Sequence, residues 1–193
     1  MQMHPHTGFT LIELLVTVAI AAILASVAVP SYNFMMNTTR LSTQANEILG
    51  ALMVARSDAI RLNQRVVFCR SDDGVACSGA TGRWQGWLIF VDNNRNDTPD
   101  AGEVLRSGTI PSSLLYVRAS PTILLQSNRI RFGADGFAHY APGASSVLLR
   151  ASLGVCILTT SPPLNFRSIR IVAGGRAAIT SIDYSGACPM PVD

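Results

Sequence analysis

One run of residues limits the fold more than any other feature of this chain. Residues 9–29, FTLIELLVTVAIAAILASVAV, are 21 in number and carry a single charge, Glu13. As an α-helix the run is roughly 31 Å long, about the thickness of a bilayer's hydrocarbon core. Three readings compete. A cleaved secretory signal needs a small-x-small cleavage site at the end of the apolar run, and none stands out there. A plain membrane anchor leaves the carboxylate unexplained, since an ionised group within such a segment costs roughly 2.5–3.5 kcal/mol on insertion scales. The third reading gives the carboxylate a purpose. A buried carboxylate is tolerable where a cation neutralises it.

Composition removes several function classes. The 193 residues are 48% hydrophobic and only 14% charged, with a net charge of +3, which excludes a disordered chain. All 15 basic residues are arginine. A Walker A lysine and Schiff-base chemistry are therefore excluded. Of three histidines, His4 and His6 sit at the extreme N-terminus and only His139 serves the body of the chain, so a histidine-based zinc site is not expected. No G-x-S-x-G elbow or paired-carboxylate motif accompanies His139, and the chain reads as a non-enzyme.

Beyond Pro30 the pattern turns amphipathic. Leu41, Ala45, Ile48, Leu52, Ala55, Ala59 and Leu62 recur every three or four residues, one apolar stripe of a helix, while Arg40, Thr43, Glu47 and Arg61 lie mostly off it. From residue 65 the runs are short and β-rich: 66–68, 86–91, 103–106, 129–132, 146–151, 154–158, 168–173 and 177–182. Gly174-Gly175 predicts a two-residue hairpin turn. The expected fold class is α+β, one long helix against a mostly antiparallel sheet region of one or two sheets.

Residues 8–32, GFTLIELLVTVAIAAILASVAVPSY, resemble the N-terminal motif of type IV pilins and type II secretion pseudopilins. The resemblance implies a type IV pilin fold with a long kinked helix. It implies cleavage by a prepilin peptidase after Gly8 and methylation of the new N-terminus at Phe9. Glu13 takes the place of the family's assembly glutamate, which pairs with the N-terminal amine of a neighbouring subunit, and Pro30 that of the family's helix-kinking proline. The leader MQMHPHTG departs from the family by lacking Lys and Arg. The expected organisation is a leader at 1–8, a transmembrane and assembly segment at 9–29, an amphipathic half-helix at 30–63 and a periplasmic β-rich domain at 64–193. A second motif, residues 86–106 (GWLIFVDNNRNDTPDAGEVLR), resembles the signature of the GspH/FimT group of minor pilins and pseudopilins. The implied function is that of a minor type IV pilin, with the H-type pseudopilin of type II secretion and a DNA-capturing competence pilin as alternatives. The implied partners are other pilins, the prepilin peptidase, the bacterial inner membrane and, in the third case, DNA.

The implied compartment, the periplasm, is oxidising. Four cysteines allow three pairings. We expect Cys69–Cys77, which flank the turn-rich RSDDGVA, and Cys156–Cys188, which would pin the C-terminus to the sheet. No cofactor is required. One metal reading exists: Asp92, Asn94, Asn96, Thr98, Asp100 and Glu103 fall at the ligand positions of an EF-hand-like calcium loop. Its sixth position is Asp97 where glycine is the rule, and strands flank it, so a polar loop of Asx-turns is the competing reading. Charge is asymmetric. Residues 108–193 hold seven arginines against three acids, residues 1–107 eight against nine. Some FimT-type pilins bind DNA through a C-terminal Gly-Arg-x-Arg element. Here Gly175-Arg176 matches its start and Ala178 stands at its second arginine, so the candidates for phosphate contact are Arg176 with Arg170, Arg167 and Arg131.

Overall fold

The computed structural model describes residues 9–111, 113–140, 147–172 and 174–193. The leader at 1–8, with Gly8, lies outside the described residues. Two compact units result, Met1–Met36 and Asn37–Asp193.

The helix α1 (Leu11–Leu62) continues without a break at Pro30, the residue at which the resemblance led us to expect a kink. In the first unit the side chains are exposed on every side, as expected of a segment long and apolar enough to cross a membrane. In the second, the stripe Leu41, Ala45, Ile48, Leu52, Ala55 and Ala59 is completely buried. The helix stops at Asn63, which adopts the left-handed conformation (φ 51°). The Gln64 amide then donates back to Ala59 O and that of Asn63 to Ile60 O, satisfying carbonyls that the last turn leaves open.

The strands form two antiparallel sheets. The first contains β1 (Val66–Ser71), β2 (Gly86–Val91), β3 (Val104–Thr109), β5 (Arg129–Phe132) and β6 (Ala138–His139), in the order β3-β2-β1-β5-β6. The second contains β4 (Leu115–Ala119), β7 (Ala151–Ile157), β8 (Phe166–Val172) and β9 (Arg176–Ile182), in the order β4-β7-β8-β9. A one-turn helix, α2 (Pro121–Leu125), follows β4. One hydrophobic core draws on the α1 stripe and both sheets. Phe68 lies between Trp84 and Trp87 within it, at centroid distances of 6.1 and 5.9 Å. A smaller cluster, Val67, Cys69, Leu88 and Phe90, occupies the opposite face of the first sheet, against Cys77.

The fold is thus α+β with two sheets. Strand β4 and helix α2 were not expected from the sequence, and the run at 146–151 contributes to a strand only from Ala151. The β8–β9 connection also differs from the two-residue turn. Val172 pairs with Arg176, so three residues separate the strands. The tip of this hairpin packs on the turn before β6: a Cβ on Gly175, whose φ is +68°, would collide with Gly136 O.

Two substitutions should act in opposite directions. Gly50 is exposed in mid-helix, and a methyl group added there would meet nothing within 4 Å, so Gly50→Ala should stabilise the domain by about 1 kcal/mol. Gly175→Ala meets both a left-handed backbone and a backbone oxygen, and should cost roughly 2 kcal/mol. Urea denaturation of the detergent-solubilised chain measures both.

Candidate functional site

The first candidate is the N-terminal turn of α1. Thr10 and Glu13 form a reciprocal capping box. The Thr10 amide and hydroxyl each donate to Glu13 Oε2 at 2.8 Å, and the Glu13 amide donates to Thr10 Oγ1 at 3.3 Å. The carboxylate therefore sits at the positive end of the helix dipole. Phe9 precedes it and is exposed, as are Ile12, Leu15 and Val16 around it. This turn offers one anionic group on an otherwise apolar surface, a site complementary to a cation on a second apolar helix.

The acidic loop between β2 and β3 is built differently from a calcium loop. Asp92 is buried and ion-paired with Arg65, and it also accepts the amides of Asn96 (3.0 Å) and Asp97 (3.1 Å). Asp97 bridges Arg65 (3.2 Å) and Arg131 (2.8 Å). Glu103 accepts the amides of Asn93 and Asp100, and the side-chain amides of Asn94 and Asn96 donate to Asp100. Among the described residues no group of three or more His, Cys, Asp or Glu is arranged to hold a metal ion. The loop is clamped to β5 by arginine, with Asp97, at the position where a calcium loop has glycine, as the central anion.

Both disulfides are present. Cys69–Cys77 closes the loop that covers the small second cluster, and Cys156–Cys188 joins β7 to the tail, with Cα–Cα distances of 5.7 Å in each. The tail crosses the outer face of the second sheet. Tyr184 lies edge-on to Phe166 at 5.0 Å. Asn165 donates to Ala187 O (2.9 Å), Arg118 to Cys188 O (2.6 Å) and the Thr122 hydroxyl to Asp193 (2.7 Å). Phe166 can lie flat on the sheet because its near neighbour on the adjoining strand is Gly154, where a Cβ would overlap the ring.

The four arginines considered for phosphate contact separate. Arg131 lies on the first sheet, buried and held by Asp97 and by Gln126 (2.6 Å). Arg167 is buried on β8 and donates to Leu164 O (2.7 Å), and burial pulls its pKa below the usual guanidinium value. Neither is available to a ligand. Arg170 and Arg176 are exposed on the outer face of the second sheet, where Arg176 pairs with Val172 and Arg170 with Ala178 and Ser152. Arg150 is exposed and lies one residue ahead of Ala151, which pairs with Ile171 of β8. Sequence reasoning missed Arg150. The period-2 alternation of β8 was readable, but the β7–β8 register that brings Arg150 to the same end of the face was not. Two exposed arginines thus lie on the adjoining strands β8 and β9, and Arg150 lies just ahead of the third strand, β7.

His139 contacts Asp135 at 3.0 Å, and among the described residues its buried Nδ1 has no hydrogen-bond partner. Burial alone would raise the Asp135 pKa. The Phe137 amide and His139 outweigh it and hold the carboxyl below its usual value.

Comparison with known proteins follows this geometry. The family model described as Type II transport protein GspH matches residues 44–175, and that of the prokaryotic N-terminal methylation motif matches residues 3–29. No curated protein matches in sequence. The structure is similar to that of the type IV minor pilin FimU of Pseudomonas aeruginosa, with a TM-score of 0.52 and 16% identity over 74% of this chain and 90% of that one. The minor pseudopilin EpsH of the Vibrio cholerae type 2 secretion system gives a TM-score of 0.48 and 9% identity over 74% of this chain and 97% of that one. The FimU likeness shows a shared pilin fold.

The ion-paired loop makes a direct prediction. Asp97→Asn leaves buried Arg131 and Arg65 with reduced compensation and should cost roughly 3 kcal/mol of stability. Millimolar calcium should leave the melting temperature of the parent chain unchanged, since Asp92 and Asp97 are already paired with arginine and Asp100 and Glu103 are occupied by amide donors. Differential scanning calorimetry reads both.

Proposed function

This chain belongs to the GspH family, and we propose that within it the protein is a minor subunit of a type IV pilus, anchored in the bacterial inner membrane before assembly. It has the pilin fold and is not an enzyme. One observation carries the proposal: a helix whose first unit exposes apolar side chains all round and holds one carboxylate in its first turn. Such a surface is stable in lipid, or against other helices of the same kind, and unstable in water. The prepilin peptidase would cut between Gly8 and Phe9. The freed amine of Phe9 would then be the cation that Glu13 of a neighbouring subunit neutralises, and the remaining apolar surface would pack helix to helix. The periplasmic placement of the Asn37–Asp193 unit is supported by its two disulfides, which persist in oxidising compartments.

The alternative assembly is the pseudopilus of type II secretion. Deletion separates the two. Loss of twitching motility with normal protein export supports the pilus; loss of export with normal motility supports the secretion system. Glu13→Ala should leave membrane insertion and cleavage intact and remove the subunit from sheared filaments, scored by immunoblot. Incorporation of that variant at the parental level would overturn the assembly role of Glu13.

A second reading has its own observation. Ala178, which interrupts the linear arginine element, pairs across the strand with Arg170. We infer that Arg150, Arg170 and Arg176 together offer a phosphate-binding face for DNA. Each phosphate contact adds about 0.9 to the slope of log affinity against log salt. Arg170→Gln should therefore weaken binding and flatten that slope by about one, whereas Arg167→Gln should leave the slope unchanged. A parent chain that shows no DNA binding at low salt removes this reading and leaves the assembly subunit.

A further inference from the structure

The two sheets have four edges, and three of them are protected. The edge at β6 is covered by residues 147–149: Leu149 N donates to Ala138 O (2.7 Å), Tyr140 N to Val147 O (3.0 Å), and His139 pairs with Leu148. The edge at β4 receives Trp84 N on Val117 O. The edge at β3 is bulged, since Ile89 pairs with Arg106 and Phe90 with Val104, and it carries Arg106 in mid-strand. Bulges, charges and covering segments are the devices by which sheets avoid edge-to-edge pairing.

Strand β9 has neither a bulge nor a covering segment among the described residues, and no charge within it beyond its first residue. Its seven residues pair with β8 in unbroken register, and among the described residues no hydrogen bond reaches its outward backbone. RAAITSI contains no proline, no glycine and one charge, Arg176, at its start. A straight unpaired edge of this length is a template for one more strand.

The strand's own sequence indicates which strand fits. Laid antiparallel on itself about Ile179, β9 brings Arg176 opposite the second copy's Ile182, Ala177 opposite Ser181, and Ala178 opposite Thr180. Every pair joins residues of the same sheet face, because the side-chain period is two. No like charges meet. Asp183, which follows the strand, comes beside the Arg176 end of the other copy, so the terminal charges are complementary at both ends. Ala178 leaves room for the Thr180 side chain across from it. We propose that β9 is a homodimerisation edge, at which two copies of this chain join their four-stranded sheets into one eight-stranded sheet about a two-fold axis through Ile179. This contact is independent of the helix-mediated assembly argued above and uses a different surface.

The test exploits Ala178 and Thr180, both exposed, so that changes there leave the fold intact. Full-length chains in detergent are compared as the parent, as Ala178→Lys/Thr180→Lys and as Ala178→Glu/Thr180→Glu. Each charged variant places like charges directly opposite one another at two pairs, which should weaken dimerisation roughly tenfold. Mixing the lysine and glutamate variants, each carrying a different affinity tag, should restore co-purification to the parental level. Association through α1 responds to none of these changes, and circular dichroism melting checks that each variant is folded. The proposal is overturned if the parent is monomeric by light scattering, in which case the edge is left for a foreign strand. It is equally overturned if all preparations associate alike, or if the mixture behaves no differently from its components.

Discussion

Both sheets depend on one stripe of α1. Leu41, Ala45, Ile48, Leu52, Ala55 and Ala59 are completely buried, and the inward residues of both sheets share one core with them. Three of the six stripe residues are alanines, which fill little of that shared core. The same helix, in its first unit, has the opposite pattern, apolar on all sides with no stripe. A single continuous helix thus carries two solubility rules. The residue pattern changes near Pro30, the point at which all-round apolarity would otherwise force the second half out of water.

Charge is used sparingly and mostly inward. Arg65, Asp92, Asp97 and Arg131 form a chain of alternating sign that ties the helix exit, the β2–β3 loop and β5 together. Buried pairs of this kind add little net stability over apolar residues of the same size, but they tolerate only one arrangement of the segments they join. Asp97 adopts a left-handed conformation (φ 59°) to reach both arginines. The loop conformation and the ion pairs therefore determine each other.

The readable parts of this structure were those encoded by local period. The α1 stripe follows the 3.6-residue repeat and is buried as that repeat implies, with only Leu62 partly exposed. Strand β2 spans the residues its continuous apolar run indicates, because it is buried on both faces. Strand β4 was not readable: its leucine, tyrosine and arginine are interspersed without a clear turn signal, and it becomes a strand through pairing with β7, which is distant along the chain. The arginine face was half readable. Arg170 and Arg176 sit on strands with evident alternation. Arg131 lies on an equally evident strand and Arg167 one residue ahead of one, but both are themselves buried, a distinction carried by sheet order and by Asp97, Gln126 and the Leu164 carbonyl.

Register also changes how a linear motif should be read. In an antiparallel pair, a residue's nearest neighbour on the same face lies directly across the strand, about 4.5–5.5 Å away between Cβ atoms, closer than the residue two positions along. Ala178 therefore does not leave its surroundings without a guanidinium, because Arg170 is its cross-strand partner. The surface that two arginines two residues apart would create on one strand is approximated here by one arginine on each of two strands, with Arg150 just ahead of a third. What a face presents is set by the sheet, and a motif written along one strand is only one of the sequences that can produce it.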